Sequence, residues 1–171
     1  ANEALMTGSP RALPAIASVS LFELETAAGD AAAKADLGTR VTVRGGRLET
    51  VEDVARARGT TVTVRRLFFN TPARRKFLRS SRSELNAAVQ ALTVLAVARL
   101  DVSFKLVNDG KTLIDAPRVS NVADRIAALF GRRIAEQLLP VEFTGETVSV
   151  RGFVQRPAEA RPAGRKALLF V

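Results

Sequence analysis

The stretch that most restricts the fold is a strictly alternating run, Thr61 to Arg65, that leads within a few residues into Asn70-Thr71-Pro72. Alternation with a period of two marks a strand with one face toward a core. Pro suits the first position of a helix, because its missing N–H would be unpaired there in any case. A strand delivered straight into a helix start requires a sheet with helices layered beside it. The same alternation appears from Thr39 to Arg44, where Gly45-Gly46 marks a turn.

The rest of the chain repeats this grammar. Ala15 to Ala17 finish a short helix after Pro14, and Val19, Leu21, Phe22 and Leu24 read as a strand. Gly29 to Asp36 reads as a surface loop, while Leu48 to Ala57 is polar and gives no clear period. Ser81-Arg82-Ser83-Glu84 fits a capping box, with Ser81 and Glu84 each satisfying a free amide at a helix start. Leu85, Ala88, Val89, Leu92 and Ala96 then recur at helical spacing, with Val94 and Val97 on the far side, which predicts a buried helix. Val102, Phe104 and Leu106 point inward on a strand, and Asn108-Asp109-Gly110 turns it back into Lys111 to Ile114. Pro117 to Asn121 reads as a boundary, followed by a helix through Val122, Ile126, Leu129 and Phe130 that closes at Gly131. A second hairpin turns at Thr144-Gly145-Glu146. Arg156 to Gly164 reads as a loop and Ala167 to Val171 as a strand cut short, which predicts a truncated chain. Antiparallel hairpins with helices between them predict an α+β layered domain.

Composition narrows the chemistry. With neither Cys nor His among 171 residues, disulfides, thiol nucleophiles, Ser-His-Asp triads and most transition-metal sites are excluded. An oxygen-only Mg²⁺ site is compatible with this composition, and the lack of Cys fits a reducing cytoplasm. No apolar run reaches the length of a membrane span.

Charge is concentrated in one place. From Val54 to Ser83 there is no Asp or Glu, yet Arg56, Arg58, Arg65, Arg66, Arg74, Arg75, Lys76, Arg79 and Arg82 fall inside. These nine cations account for the whole formal charge of +9. A scattered excess would read as a solvated face, whereas an excess this local reads as a site for a polyanion. Arg75, Arg79 and Arg82 succeed one another at three- and four-residue spacing, which would place them near one helix face. Arg74, Arg75, Lys76, Arg79 and Arg82 are therefore candidates for phosphate-backbone contacts with DNA, which give affinity without reading sequence. Phe68, Phe69 and Phe77 could serve as stacking platforms, but their alternation with the charges favours core packing.

The segment from Gly59 through Leu78, with Gly59-Thr60, the strand to Arg65, and Leu67-Phe68-Phe69-Asn70-Thr71-Pro72-Ala73-Arg74-Arg75-Lys76-Phe77, closely resembles the MutL family of mismatch-repair proteins. Leu13 to Ser20 resembles the stretch just after that family's Gly-Phe-Arg-Gly-Glu-Ala-Leu signature, and Val102 to Lys111 and Ala123 to Val154 follow the family's order of helix, strand and hairpin. The resemblance implies a layered ATPase fold of the gyrase, Hsp90, histidine-kinase and MutL type. Residues 1–117 would be the later part of the nucleotide-binding domain, and 118–171 the start of a second, ribosomal-protein-like α+β domain. It implies ATP and Mg²⁺ as ligands, ATP-driven dimerisation and clamping on DNA, a MutS-type mismatch-recognition partner, and a cytoplasmic, nucleoid-associated setting. It also implies that Gly59 and Thr60 contact the nucleotide, Thr60 through its hydroxyl at the phosphates. Asn70, Thr71 and Pro72 belong to the motif, although their chemistry is that of a helix cap.

The departures are equally specific. The family's catalytic Glu, Mg²⁺-binding Asn and adenine-reading Asp have no counterpart here, and its γ-phosphate Lys would lie beyond Val171. Gly8-Ser9-Pro10-Arg11-Ala12-Leu13 stands where the glycine-rich signature is expected. The lost glycines remove close backbone approach to phosphates, and Pro10 removes a donor. The chain alone is thus expected to be inactive as an ATPase. The alternative reading is a non-catalytic basic nucleic-acid-binding module, and a further one is a degenerate piece that cannot close its fold.

Overall fold

The computed structural model describes residues 12–29 and 36–155. The signature-like stretch at Gly8 to Arg11, the centre of the loop expected before Asp36, and the loop and strand expected after Gln155 lie outside the described residues. The chain divides into two compact units, Ala1–Leu78 and Arg79–Val171.

The first unit opens with helix α1 (Ala12–Ala17), then strands β1 (Leu21–Ala27), β2 (Asp36–Arg44), β3 (Arg47–Arg56) and β4 (Gly59–Arg65), and short helix α2 (Pro72–Lys76). The strands form one antiparallel sheet in the order β3-β2-β1-β4. Opposed residues of antiparallel strands share a face. Phe22 lies opposite Val43 and Val64, Leu24 opposite Val41 and Val62, and Val41 opposite Val51, so these side chains make one apolar face. The other face carries Arg40 bridging Glu25 and Glu52, at 2.6 and 3.0 Å. The register slips by one residue between Thr42 and Val43, and the extra residue, Glu49, takes the Arg44 guanidinium at 2.6 Å. The stretch that shows no period in sequence is thus the edge strand β3.

The corner after β4 is tight. Arg66 and Phe68 both adopt positive φ, 49° and 63°, a region that costs bulky residues energy and persists only when neighbours enforce it. Here Phe68 N–H donates to Val19 O at 2.7 Å, Phe69 N–H to Arg66 O at 3.0 Å, and Asn70 Nδ2 to Ser18 O at 2.9 Å. Asn70 therefore ties the corner to the α1–β1 turn rather than capping α2, whose N-cap is Thr71 with no side-chain cap bond. Pro72 does open the helix.

The second unit contains α3 (Ser81–Ala98), β5 (Phe104–Asn108), β6 (Lys111–Ala116), α4 (Val122–Phe130), α5 (Arg132–Glu136), β7 (Leu138–Thr144) and β8 (Ser149–Gln155). β5 pairs with β6 and β7 with β8, both antiparallel. The helix cap lies one residue earlier than the sequence pattern suggests. Ser80 Oγ accepts from Ser83 N–H at 3.3 Å, and Glu84 accepts from Arg79 N–H at 3.0 Å. Ala96, Ile114 and Ala116 form the buried core, with Val89, Leu92, Phe104, Leu106 and Leu129 packed against it. The expectation of a fully buried α3 needs correction: Ala96 is its buried residue, while Val94 and Leu95 are exposed. Only the stripe that meets the β5–β6 core is covered.

α4 is held from beneath by Arg125, which has no exposed surface. Its Nη1 donates to Ala116 O at 2.7 Å, and its Nη2 to Val102 O at 2.8 Å, Arg99 O at 3.1 Å and Leu100 O at 3.2 Å. The guanidinium also lies 6.0 Å from the Phe104 ring centroid. Asn121 caps the helix, accepting from Asp124 N–H at 2.9 Å.

Candidate nucleotide site and basic segment

Gly59 and Thr60 begin β4, at one end of the apolar sheet face. Gly59 has φ +133°, a backbone region that L side chains rarely adopt. Among the described residues, a Cβ placed there would meet only the tip of the Arg56 guanidinium, at 3.7 Å. The requirement for Gly is thus conformational, and among the described residues nothing else crowds that side of it. Thr60 alternates with Val62 and Val64, which sets its side chain on the apolar face, and it is exposed.

Thr60 is joined there by residues the sequence did not single out. Thr26 lies opposite Thr60, Thr39 opposite Thr26, and Asp53 opposite Thr39, so a polar row crosses all four strands where the apolar face ends. Thr26 Oγ1 lies 2.9 Å from Thr60 Oγ1, and the Thr26 hydroxyl also makes a long bond to Gly59 O at 3.4 Å. Behind the row, Arg56 Nη1 donates to Glu25 O and its Nε to Ala57 O, so this member of the basic segment works on the backbone. Alternation after Phe22 and Leu24 assigns Thr26 to this face. Its pairing with Thr60 depends on register across many residues, which no local pattern encodes.

The basic candidates separate into two groups. Arg74, Arg75 and Lys76 occupy one exposed turn of α2 in the first unit. Arg79 lies between the helices and Arg82 in the first turn of α3, both exposed, in the second unit. The single helix face expected for Arg75, Arg79 and Arg82 is not formed, because α2 ends at Lys76. Among the described residues none of these five cations pairs with a carboxylate. Phe77, expected in a core, is 85% exposed at the end of α2, and Phe69 is exposed too. Phe68 is half-buried at the strained corner.

No protein-family model matches the chain. The chain is 46% identical over 160 residues to the DNA mismatch repair protein MutL of Gemmatimonas aurantiaca, a match that covers 94% of this chain and 26% of that protein. The MutL of Anaeromyxobacter sp. is likewise 46% identical over the same shares, and that of Opitutus terrae is 40% identical over 94% of this chain and 25% of its own. The chain is a MutL-family segment. It spans about a quarter of the length of these curated MutL relatives. Among solved structures, the Aquifex aeolicus MutL ATPase domain complexed with ADP superposes with a TM-score of 0.72 at 28% identity, over 91% of this chain and 58% of that one. A second structure of the Aquifex aeolicus MutL ATPase domain gives 0.67 at 28% identity, over 82% of this chain and 52% of that one. The fold is accordingly the α+β fold of MutL ATPase domains.

Proposed function

We propose that this MutL-type segment handles two polyanions in DNA mismatch repair, a nucleotide at Gly59 and Thr60 and DNA at Arg74, Arg75, Lys76, Arg79 and Arg82. In the whole protein, ATP binding and slow hydrolysis drive N-terminal dimerisation and clamping on DNA, in concert with a MutS-type mismatch-recognition partner, in the cytoplasm at the nucleoid. The observation that carries the nucleotide half is the open, hydroxyl-bearing end of the apolar sheet face, in a fold shared with a MutL ATPase domain complexed with ADP. Exposed cations that pair with no carboxylate among the described residues support the DNA half.

Residues 1–117 form the later part of the nucleotide-binding domain, and 118–171 begin the second domain. Arg125, near the start of 118–171, anchors α4 to the carbonyls of Arg99, Leu100, Val102 and Ala116 within one compact unit. Gly59 and Thr60 fit a nucleotide, with one open approach and one exposed hydroxyl. Among the described residues no group of three or more Asp or Glu side chains is placed to hold a metal ion, and Mg²⁺ bound with a nucleotide relies on the phosphates for much of its coordination. No described helix is long and apolar enough to cross a membrane.

The chain alone is expected to show no ATP turnover, because phosphoryl transfer needs a positioned water, a metal and a cation at the γ-phosphate together. A coupled phosphate-release assay checks this, and turnover abolished by Thr60→Val would overturn it. A competing reading, a nucleic-acid module indifferent to nucleotide, draws on the same unpaired cations. Duplex binding measured with and without ADP separates the two: affinity unchanged by saturating ADP favours the module.

A further inference from the structure

We infer that Thr26 is a positioning residue for the nucleotide site, holding the Thr60 hydroxyl in the orientation in which it meets the ligand; this rests on the assignment of Thr60 as a nucleotide contact. The two hydroxyls lie 2.9 Å apart on opposed residues of β1 and β4, within ordinary hydrogen-bonding distance. Both side chains are exposed, so a lone Thr60 hydroxyl would rotate freely between water partners. The bond to Thr26 removes that freedom before any ligand arrives, and pre-ordering of a contact group strengthens binding.

The pair carries two hydroxyl protons. One lies in the bond between the threonines. When Thr60 gives that proton, Thr26 directs its own to Gly59 O, at the long distance of 3.4 Å. A contact that long is weak and easily exchanged. Thr26 can instead donate to Thr60, which frees the Thr60 proton for an acceptor on the ligand. The pair therefore offers a donor or an acceptor at Thr60 without moving either backbone. Its position is fixed from both sides, by the register of β1 with β4 and by Gly38 of β2, where a Cβ would stand 2.6 Å from Thr26 O.

The test titrates the 171-residue chain with ADP, following amide shifts by NMR, alongside Thr26→Val, Thr26→Ser, Thr60→Val and the double Val variant. Val keeps the shape and β-branching of Thr, so the strand is retained, and circular dichroism confirms it. Thr26→Val is expected to weaken ADP binding roughly 3- to 10-fold, the range of one net hydrogen bond. Thr26→Ser is expected to restore it, and the double variant to bind no more weakly than Thr60→Val alone. If Thr26→Val binds like the parent while Thr60→Val is weakened, Thr60 acts alone and the inference fails, although the nucleotide assignment stands. If Thr60→Val matches the parent, or the parent shows no ADP-dependent shifts, the assignment itself fails and takes the inference with it. Loss in Thr26→Val that Ser does not rescue would mark a packing role and also overturn it.

Discussion

Gly38 shows how little room the polar row leaves behind it. A Cβ at this position would meet Thr26 O at 2.6 Å and the Arg56 side chain at 3.0 Å, and the first of these is backbone that cannot swing aside. Gly38→Ala should force β2 away from β1 and cost about 1–3 kcal/mol, read as a lowered thermal midpoint. Another residue reports on its own proton. The Arg99 guanidinium grips Asp101 through two bonds, at 2.8 and 3.0 Å, with Arg118 adding its charge, and holds the Asp101 carboxyl down at about 2. A carboxyl lowered in the folded state stabilises the fold above its unfolded value, about 3.9, and loses that effect as pH falls toward the folded one. The pair is exposed, so the effect on stability is small. A carbon-detected NMR titration of Asp101 should give a midpoint near 2, and Arg99→Gln should bring it back toward the ordinary carboxylate range.

Among the elements, legibility in the sequence tracks how local each signal is. The alternation of Thr39–Arg44 and Thr61–Arg65, the turn at Asn108-Asp109-Gly110 and the Gly131 stop all appear in the fold, because each depends on neighbours in sequence. β3 is illegible because an edge strand with solvent on much of both faces has no need of an apolar period. The start of α3 is offset by one residue from its pattern, since Ser80, Ser81 and Ser83 offer the same hydroxyl and only geometry chooses among them. At the candidate site, Gly59 and Thr60 are visible through a motif. Thr26, Thr39 and Asp53 are not, since they join it through strand pairing. Arg125 is hidden for a related reason, because its partners are backbone carbonyls that only the fold brings to it. Arg125→Met should strip four carbonyls of their donor and loosen α4 from β6, a loss of about 3 kcal/mol or more. Hydrogen exchange should quicken first along Val122–Phe130.

Across the molecule, charge is the feature that partners would sense first. Neutralising Arg74, Arg75 and Lys76 together should flatten the plot of log affinity for duplex DNA against log salt by about 0.9 for each phosphate that α2 neutralises. A slope identical to that of the parent would remove α2 from the DNA-binding surface. The ion pairs at Arg40, Arg44 and Arg99 share this sensitivity to ions, since each has a carboxylate partner near solvent. Arg125 stands apart from all of them. Peptide oxygens neither take up protons in mild acid nor attract a competing counterion at this depth, so concentrated brine should leave the seat of α4 untouched while it weakens the ion pairs at the surface.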